Sequence, residues 1–153
     1  MRLPAAARRR QLLGVALDIF GERGFHATSM NDLAEAAGVT KPVLYQHFSS
    51  KRELFLELLA EIGADLSSVI AKATVDQSST RQQLEHGFDA YFAWVDHNRA
   101  AFDLLFSAGT RREPDFLAAA HRVEDAIADL VADNIVISGL TRERRVLLAH
   151  GIV

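Results

Sequence analysis

The stretch TSMNDLAEAAGVTKPVLYQHF, residues 28–48, decides the fold because it encodes two short helices joined by a tight turn. Ser29 followed three residues later by Asp32 is a capping box, which satisfies free amide groups where a helix begins. Gly38 suits the left-handed backbone that commonly ends a helix. We therefore predict one helix between Ser29 and Gly38 and a second helix directly after it.

The second helix is predicted to start abruptly, with Thr40 as its cap and Pro42 in its first turn, where a missing amide hydrogen costs little. Leu44 and Phe48 lie one turn apart and can point inward. The residues left on the outer face are polar, basic or small, and they suit the major groove of DNA: Lys41, Pro42, Val43, Tyr45, Gln46 and His47. The alternative is a plain helical corner, which is common in all-helical proteins.

Charge distribution favours the DNA interpretation. Residues 1–52 contain eight Arg or Lys against four Asp or Glu, whereas the remainder contains nine against sixteen. The net charge of −3 is therefore the sum of a basic N-terminal region and an acidic remainder. This distribution is typical of a protein that meets phosphate with one end only.

The segment LLGVALDIFGERGFHATSMNDLAEAAGVTKPVLYQHFSSKRELF, residues 12–55, closely resembles the N-terminal domain of tetracycline-repressor-type (TetR family) transcriptional regulators. The resemblance covers a little under a third of the chain. It implies a helix-turn-helix that binds a double-stranded DNA operator, a helical bundle that binds a small-molecule effector, and a homodimer. It also implies that Lys51 contacts the DNA backbone.

The outward residues have separate expected roles. Tyr45, His47 and Lys51 can donate to phosphate oxygens, Lys41 can donate to guanine, and Gln46 can pair with adenine. Pro42 and Val43 can touch a thymine methyl group. Asn31 is equally well a solvated first-turn residue, and His47 can instead bond a backbone carbonyl. The predicted DNA-binding residues are Asn31, Thr40, Lys41, Pro42, Val43, Tyr45, Gln46, His47 and Lys51.

Two basic segments flank these helices. Ala5 to Arg10 contains three arginines and is either an arm that stays mobile until it lies along DNA or the start of the first helix. The apolar spacing of the following residues predicts that this helix ends at Gly24. Lys51 and Arg52 lie in the first turn of the next helix, where, with its exposed amides, we expect an anion site.

The rest of the chain is predicted to be helical, so the fold class is all-α. A long helix runs from Ser50 to about Ala73, and a capping box of Thr80 and Gln83 opens a helix to about His97. A short helix precedes a break at residues 107–114, an amphipathic helix covers Phe116 to Val136, and Thr141 caps a last helix. We divide the chain into a DNA-binding domain, 1–50, and a ligand-binding and dimerisation domain, 51–153.

The second domain is rich in aromatic residues, which can be plain core or can line an effector cavity. Family members bind small molecules between these helices, so the resemblance favours the cavity. The predicted ligand-binding residues are Phe88, Tyr91, Phe92, Trp94, Val95, Phe102, Phe106, Phe116 and His121.

Several classes of protein are disfavoured. The chain has no cysteine, so it has neither disulfides nor thiolate metal sites. No catalytic motif and no pair of metal-binding histidines is present, and we expect neither enzyme activity, nor a metal, nor a cofactor. No apolar run is long enough for a membrane span, and no secretion signal is evident, so we expect a cytoplasmic protein.

The sequence therefore predicts a ligand-responsive regulator, a repressor that leaves its palindromic operator when a small apolar or aromatic effector binds. The alternative is a helical small-molecule carrier or interaction module that has lost specific DNA reading. The last helix pattern still runs at Val153, so we expect that the C-terminal part of the family's bundle is missing and that dimerisation is affected.

Overall fold

The computed structural model describes residues 2–134 and 140–152, and every regular element in these ranges is helical. This agrees with the predicted all-α class. The helices are α1 (Ala5–Arg23), α2 (Met30–Ala36), α3 (Lys41–His47), α4 (Lys51–Thr74), α5 (Thr80–His97), α6 (Arg99–Leu105), α7 (Ala108–Arg112), α8 (Pro114–Asn134) and α9 (Arg142–Ile152).

The turn between α2 and α3 forms as the sequence predicts. The Asp32 amide donates to Ser29 Oγ at 3.0 Å, and the Ser29 amide donates to Asp32 Oδ2 at 2.8 Å, which completes the capping box. Gly38 has a φ of 65°, in the left-handed region. Thr40 occupies the cap position of α3, but its side chain makes no capping hydrogen bond. The short α3 therefore depends on packing more than on its own cap.

Helix α1 includes the basic segment that we interpreted as either a mobile arm or a helix start. It begins at Ala5, and its apolar face is buried at Leu12, Leu13, Ala16 and Phe20. The helix-start interpretation is therefore correct from Ala5 onward, and the mobile-arm interpretation is wrong there. The helix ends at Gly24, as predicted.

Helix α4 contacts α1 at one end of the molecule and packs against α5 and α8. Helices α4 and α8 run in the same direction. Arg52 meets Asp115 near their N-terminal ends, and Ile70 and Ile127 border a common cavity near their C-terminal ends. Between these points, Gly63 lies against Val123 so closely that an added Cβ would be 2.4 Å from Val123 Cγ2.

Some predicted boundaries need correction. Helix α5 is capped by Ser79, whose hydroxyl accepts from the Gln82 amide, so the predicted Thr80–Gln83 box is one residue too late. The predicted break at residues 107–114 contains α7, because Ser107 Oγ caps it by accepting from the Thr110 amide at 3.1 Å. The predicted end of α8 at Val136 and the last residue, Val153, lie outside the described residues.

We predict that Gly63→Ala lowers the free energy of unfolding by about 1–3 kcal/mol, because the new methyl group overpacks against Val123. Urea denaturation of the wild type and the variant measures this change. The double variant Gly63→Ala/Val123→Ala should be less destabilised than the sum of its single variants, since the second change makes room for the first.

The matched control is Gly14→Ala on α1, where an added Cβ would meet no atom within 4 Å. Alanine favours the helical backbone over glycine, so this variant should gain about 0.5–1 kcal/mol. Equal effects at the two glycines would contradict the close-approach argument.

Candidate DNA-binding surface and ligand cavity

The outer face of α3 is open to solvent because its two large apolar residues point inward. Leu44 and Phe48 are each 1% exposed, whereas Tyr45 is 47% exposed. Of the other residues predicted on this surface, Thr40, Lys41, Pro42 and Gln46 are exposed, and Val43 and His47 are half-buried. The predicted reading face therefore consists of accessible side chains.

Two surface grooves flank α3. The first is lined by the segment from His26 to Asp32 and by Lys41, Tyr45 and Ser49 to Lys51. It brings the predicted residues Asn31, Lys41, Tyr45 and Lys51 together. The second lies on the other side of α3, where Thr40, Val43, Gln46 and His47 face Arg2, Leu3 and Arg8. Each groove thus carries basic side chains beside the exposed face of α3.

Lys51 is held at the edge of the first groove by the loop between α1 and α2. Its Nζ donates to the Phe25 carbonyl at 2.7 Å and lies 4.2 Å from the centre of the Phe25 ring. Partial burial, and secondly the charge of Arg52, lower the pKa of Lys51. A lysine ammonium group has three donors, so Lys51 can keep this bond and still donate to a phosphate oxygen.

His47 does not use its ring for a local hydrogen bond to any described residue. Its backbone carbonyl instead accepts from Arg9 Nη1 at 2.9 Å. The alternative that the imidazole bonds a neighbouring carbonyl is therefore not observed, and the ring remains available at the second groove.

Arg52 does not join Lys51 in an anion site, and that prediction is wrong. Its guanidinium donates to Asp115 at 2.8 Å and to Glu113 at 3.0 Å, and it lies 4.9 Å from the Phe116 ring centre. The acidic start of α8 thus neutralises it. The hydrogen bond from Arg52 lowers the pKa of Glu113, with further contributions from the charges of Arg52 and His26.

A cavity of about 240 Å³ lies between the C-terminal parts of α4 and α8 and the middle of α5. Its lining is mostly apolar, and none of the described residues that line it carries a charged side chain. Phe92, at its rim, is 61% exposed. The lining residues are Ile70, Thr74, Gln83, Leu84, Gly87, Phe88, Tyr91, Phe92, Ile127, Val131 and Asn134.

Few polar groups of this cavity are free to bind a ligand. Thr74 Oγ1 donates to the carbonyls of its own helix, and Asn134 Nδ2 donates to the Leu130 carbonyl at 2.8 Å. The side chains of Gln83 and Tyr91 make no hydrogen bond within the part of the chain that the structure describes. Burial raises the pKa of Tyr91, so its hydroxyl stays neutral and can donate.

The structure separates the nine predicted ligand-binding residues. Phe88, Tyr91 and Phe92 line the cavity, and the other six do not. Trp94 is 5% exposed and donates its indole N–H to Asp65 Oδ2 at 2.6 Å, so it ties α5 to α4. The remaining five lie in the packed core, at the junction of the domains or on the surface: Val95, Phe102, Phe106, Phe116 and His121.

Phe116 shows why aromatic residue type alone does not predict which side chains line the cavity. Its ring lies 4.4 Å from that of Phe55 and 4.8 Å from that of Phe25, between centres. The start of α8 therefore packs against the start of α4 and the loop between α1 and α2, away from the cavity. The rings of Phe102 and Phe106 contact each other at a tilt, with centres 4.7 Å apart, and pack against the core.

Sequence reasoning missed most of the cavity, including Ile70, Leu84, Ile127 and Val131. These residues looked like ordinary members of apolar helix stripes. The sequence signal that could have located the cavity is the pair of polar residues Thr74 and Gln83, which flank the break between α4 and α5.

Within residues 2–134 and 140–152, no group of three acidic or histidine side chains could hold a metal ion, and no helix is long and apolar enough to cross a membrane.

The chain is similar in sequence to known bacterial transcriptional regulators. A family model described as bacterial regulatory proteins, tetR family, matches residues 12–58. The chain is 38% identical to the HTH-type transcriptional activator FasR of Mycolicibacterium smegmatis over 99% of its own length and 70% of FasR. It is 32% identical to the HTH-type transcriptional repressor KstR2 of Rhodococcus jostii, over 63% of this chain and 47% of KstR2.

A solved structure agrees over nearly the whole chain. The crystal structure of a TetR-like transcriptional regulator from Rhodococcus sp. RHA1 superimposes with a TM-score of 0.78 and 30% sequence identity. The match covers 99% of this chain and 80% of that one. The helix order is therefore shared well beyond the helix-turn-helix.

We predict that Glu113→Gln destabilises the protein at neutral pH and has little effect in acid. The pKa of Glu113 is lowered in the folded state, so its stabilising effect is present above the ordinary pKa of a glutamate, about 4.3, and is lost as the pH falls through the lowered value. Urea midpoints of wild type and variant should differ at about pH 7 and converge as the pH falls through the lowered pKa of Glu113.

The control is Glu85→Gln, which removes a carboxylate from an exposed pair with Arg81 on α5. Exposed pairs of this kind contribute at most about 1 kcal/mol. A constant difference between wild type and Glu113→Gln across the pH range would show that the Arg52 pair does not stabilise the domain junction.

Proposed function

The chain belongs to the TetR family of bacterial transcriptional regulators, and from this we propose that it binds an operator through α3 under the control of a small ligand in the α4–α5–α8 cavity. The observation that carries the proposal is the exposed face of α3. Lys41, Tyr45 and Gln46 lie outward over buried Leu44 and Phe48, and a basic groove lies on each side.

Specificity is assigned to the exposed side chains of α3. Lys41 can donate to guanine O6 or N7, and Gln46 can bond adenine through both atoms of its amide. Pro42 and Val43 offer apolar surface to a thymine methyl group. These contacts distinguish bases, because each base pair presents a different pattern of donors, acceptors and methyl groups in the major groove.

Affinity for the DNA backbone is assigned to the residues at the edges of the two grooves. Tyr45 and Lys51 border the first groove, His47 borders the second, and Asn31 and Thr40 are exposed beside them. Their donors can reach phosphate oxygens and set the register of α3 on the duplex. In a homodimer, two α3 helices about 34 Å apart would meet successive major grooves of a palindromic operator.

The ligand is proposed to be uncharged and largely apolar. Among residues 2–134 and 140–152, no charged side chain lines the cavity, and an isolated charge would lose hydration there without compensation. Gln83 and Tyr91 supply neutral hydrogen-bonding groups for one polar end. An engineered cavity of about 150 Å³ holds benzene, so this one suits a body of roughly ten non-hydrogen atoms.

The cavity and the DNA-binding surface share α4, which provides their coupling. Ligand between Ile70 on α4 and Ile127 on α8 would favour one arrangement of these helices, and α4 carries Lys51 at its other end. If that arrangement fits the operator less well, ligand and operator must weaken each other by the same factor. We expect release of DNA by the ligand; repression stays a prediction, since FasR is named an activator and KstR2 a repressor.

We predict that Lys41→Ala weakens binding to a preferred duplex, selected from a random library by the wild-type protein, by about 1–3 kcal/mol. Fluorescence anisotropy with the selected and a scrambled duplex measures the change. Lys72→Ala on α4 removes the same charge from an exposed position outside the grooves and is the matched control. Equal effects of the two substitutions would show that Lys41 acts only through net charge.

We predict that 1-naphthol binds the cavity and that naphthalene-1-sulfonate, which has a similar ring but a negative charge, does not. Val131→Phe should abolish naphthol binding because the added ring fills the cavity. Val75→Phe makes the same change at an exposed position on the end of α4 and should leave binding unchanged. Isothermal titration calorimetry distinguishes these outcomes, and binding of both probes with equal affinity would contradict the proposed ligand class.

A further inference from the structure

We propose that Arg9 is a positioning residue for α3: its guanidinium fixes the angle of the reading helix and thereby supports sequence discrimination without touching DNA. This inference rests on the proposed function, since it concerns the helix to which base reading is assigned. It also gives Arg9 a role that neither sequence interpretation of its segment, the DNA-binding arm or the plain helix start, included.

The Arg9 side chain joins three helices. It projects from the second turn of α1, and its Nη1 donates to the His47 carbonyl at 2.9 Å. Its Nη2 forms an ion pair with Glu57 on α4, and the guanidinium carbon lies 4.5 Å from the centre of the Phe48 ring. One side chain thus contacts the last residue of α3, the residue that follows it, and the next helix.

Helix α3 needs such a contact at its C-terminal end. It has only seven residues, so its last carbonyls form a large share of its backbone acceptors and lack partners within the helix. Its N-terminal end is held by the turn, where the Val39 amide donates to the Ala34 carbonyl at 3.0 Å. Arg9 satisfies a carbonyl at the opposite end and places a positive charge where the helix dipole is negative.

Arg9 also points into the protein rather than toward the DNA-binding surface, since Arg2 and Arg8 line the second groove beside α3 and Arg9 lines neither groove. Its two terminal nitrogens are engaged by His47 and Glu57, and its face lies over Phe48. The flat, forked guanidinium allows these three contacts at once, which the single nitrogen of a lysine does not. The neighbouring Arg10 is exposed and is better placed to meet solvent or DNA.

The test uses Arg9→Lys and Glu57→Gln with a preferred duplex selected by the wild-type protein and a scrambled duplex. Each variant should lower the ratio of specific to non-specific affinity by about tenfold, comparable to the loss of one base contact. Affinity of Arg9→Lys for the scrambled duplex, and its dependence on salt, should stay within about twofold of wild type because the positive charge is kept, and the scrambled affinity of Glu57→Gln should not fall because a negative charge is removed.

Glu57→Gln is the decisive variant. It removes a negative charge and should strengthen DNA binding if electrostatics alone matter, whereas loss of positioning weakens specific binding only. Val123→Ala, which destabilises a distant α4–α8 contact, controls for general loss of stability and should leave the affinity ratio unchanged. Thermal unfolding establishes that every variant is folded at the assay temperature.

Any one of three results would overturn the inference. An unchanged affinity ratio in both variants would remove the positioning role while leaving the proposed function intact. An equal loss of specific and scrambled affinity in Arg9→Lys would make Arg9 a phosphate contact instead. A wild-type protein that prefers no duplex in the selection would refute the proposed function itself, and the inference with it.

Discussion

Burial of Leu44 and Phe48 is the constraint on which the DNA-binding surface depends. These two side chains are one turn apart on a seven-residue helix, so placing both in the core leaves one orientation for α3. That orientation turns Lys41, Tyr45 and Gln46 toward solvent. A helix this short would not hold its conformation alone in water, so its exposed face exists because its inner face is packed.

Short-range chemistry explains why the first domain could be predicted so closely. The Ser29–Asp32 box, the left-handed Gly38 and the early Pro42 act over two to four residues, and each was visible in the sequence. The DNA-binding residues could be named for the same reason, because the inner and outer faces of one short helix follow from its period. Their roles on DNA remain predictions.

Long-range packing explains what could not be predicted. The nine candidate ligand residues were chosen by type, but only the arrangement of α4, α5 and α8 decides which aromatic side chains face a cavity. Phe116 packs on Phe55, across 61 positions of sequence, and Trp94 reaches Asp65 on another helix. Arg9 was likewise expected to lie in either a DNA-binding arm or a helix start, and Arg52 was expected in an anion site, whereas both are bound within the protein.

The hydrogen bond between Trp94 and Asp65 also makes Trp94 an intrinsic fluorescence probe of the α4–α5 contact. The chain has one tryptophan, so its long-wavelength ultraviolet emission comes from a single indole held between α5 and α4. Indole emission depends on hydrogen bonding and on the polarity around the ring. Any sliding of α5 along α4 would change both, so the coupling between the two halves of the protein can be followed in real time without attaching a dye.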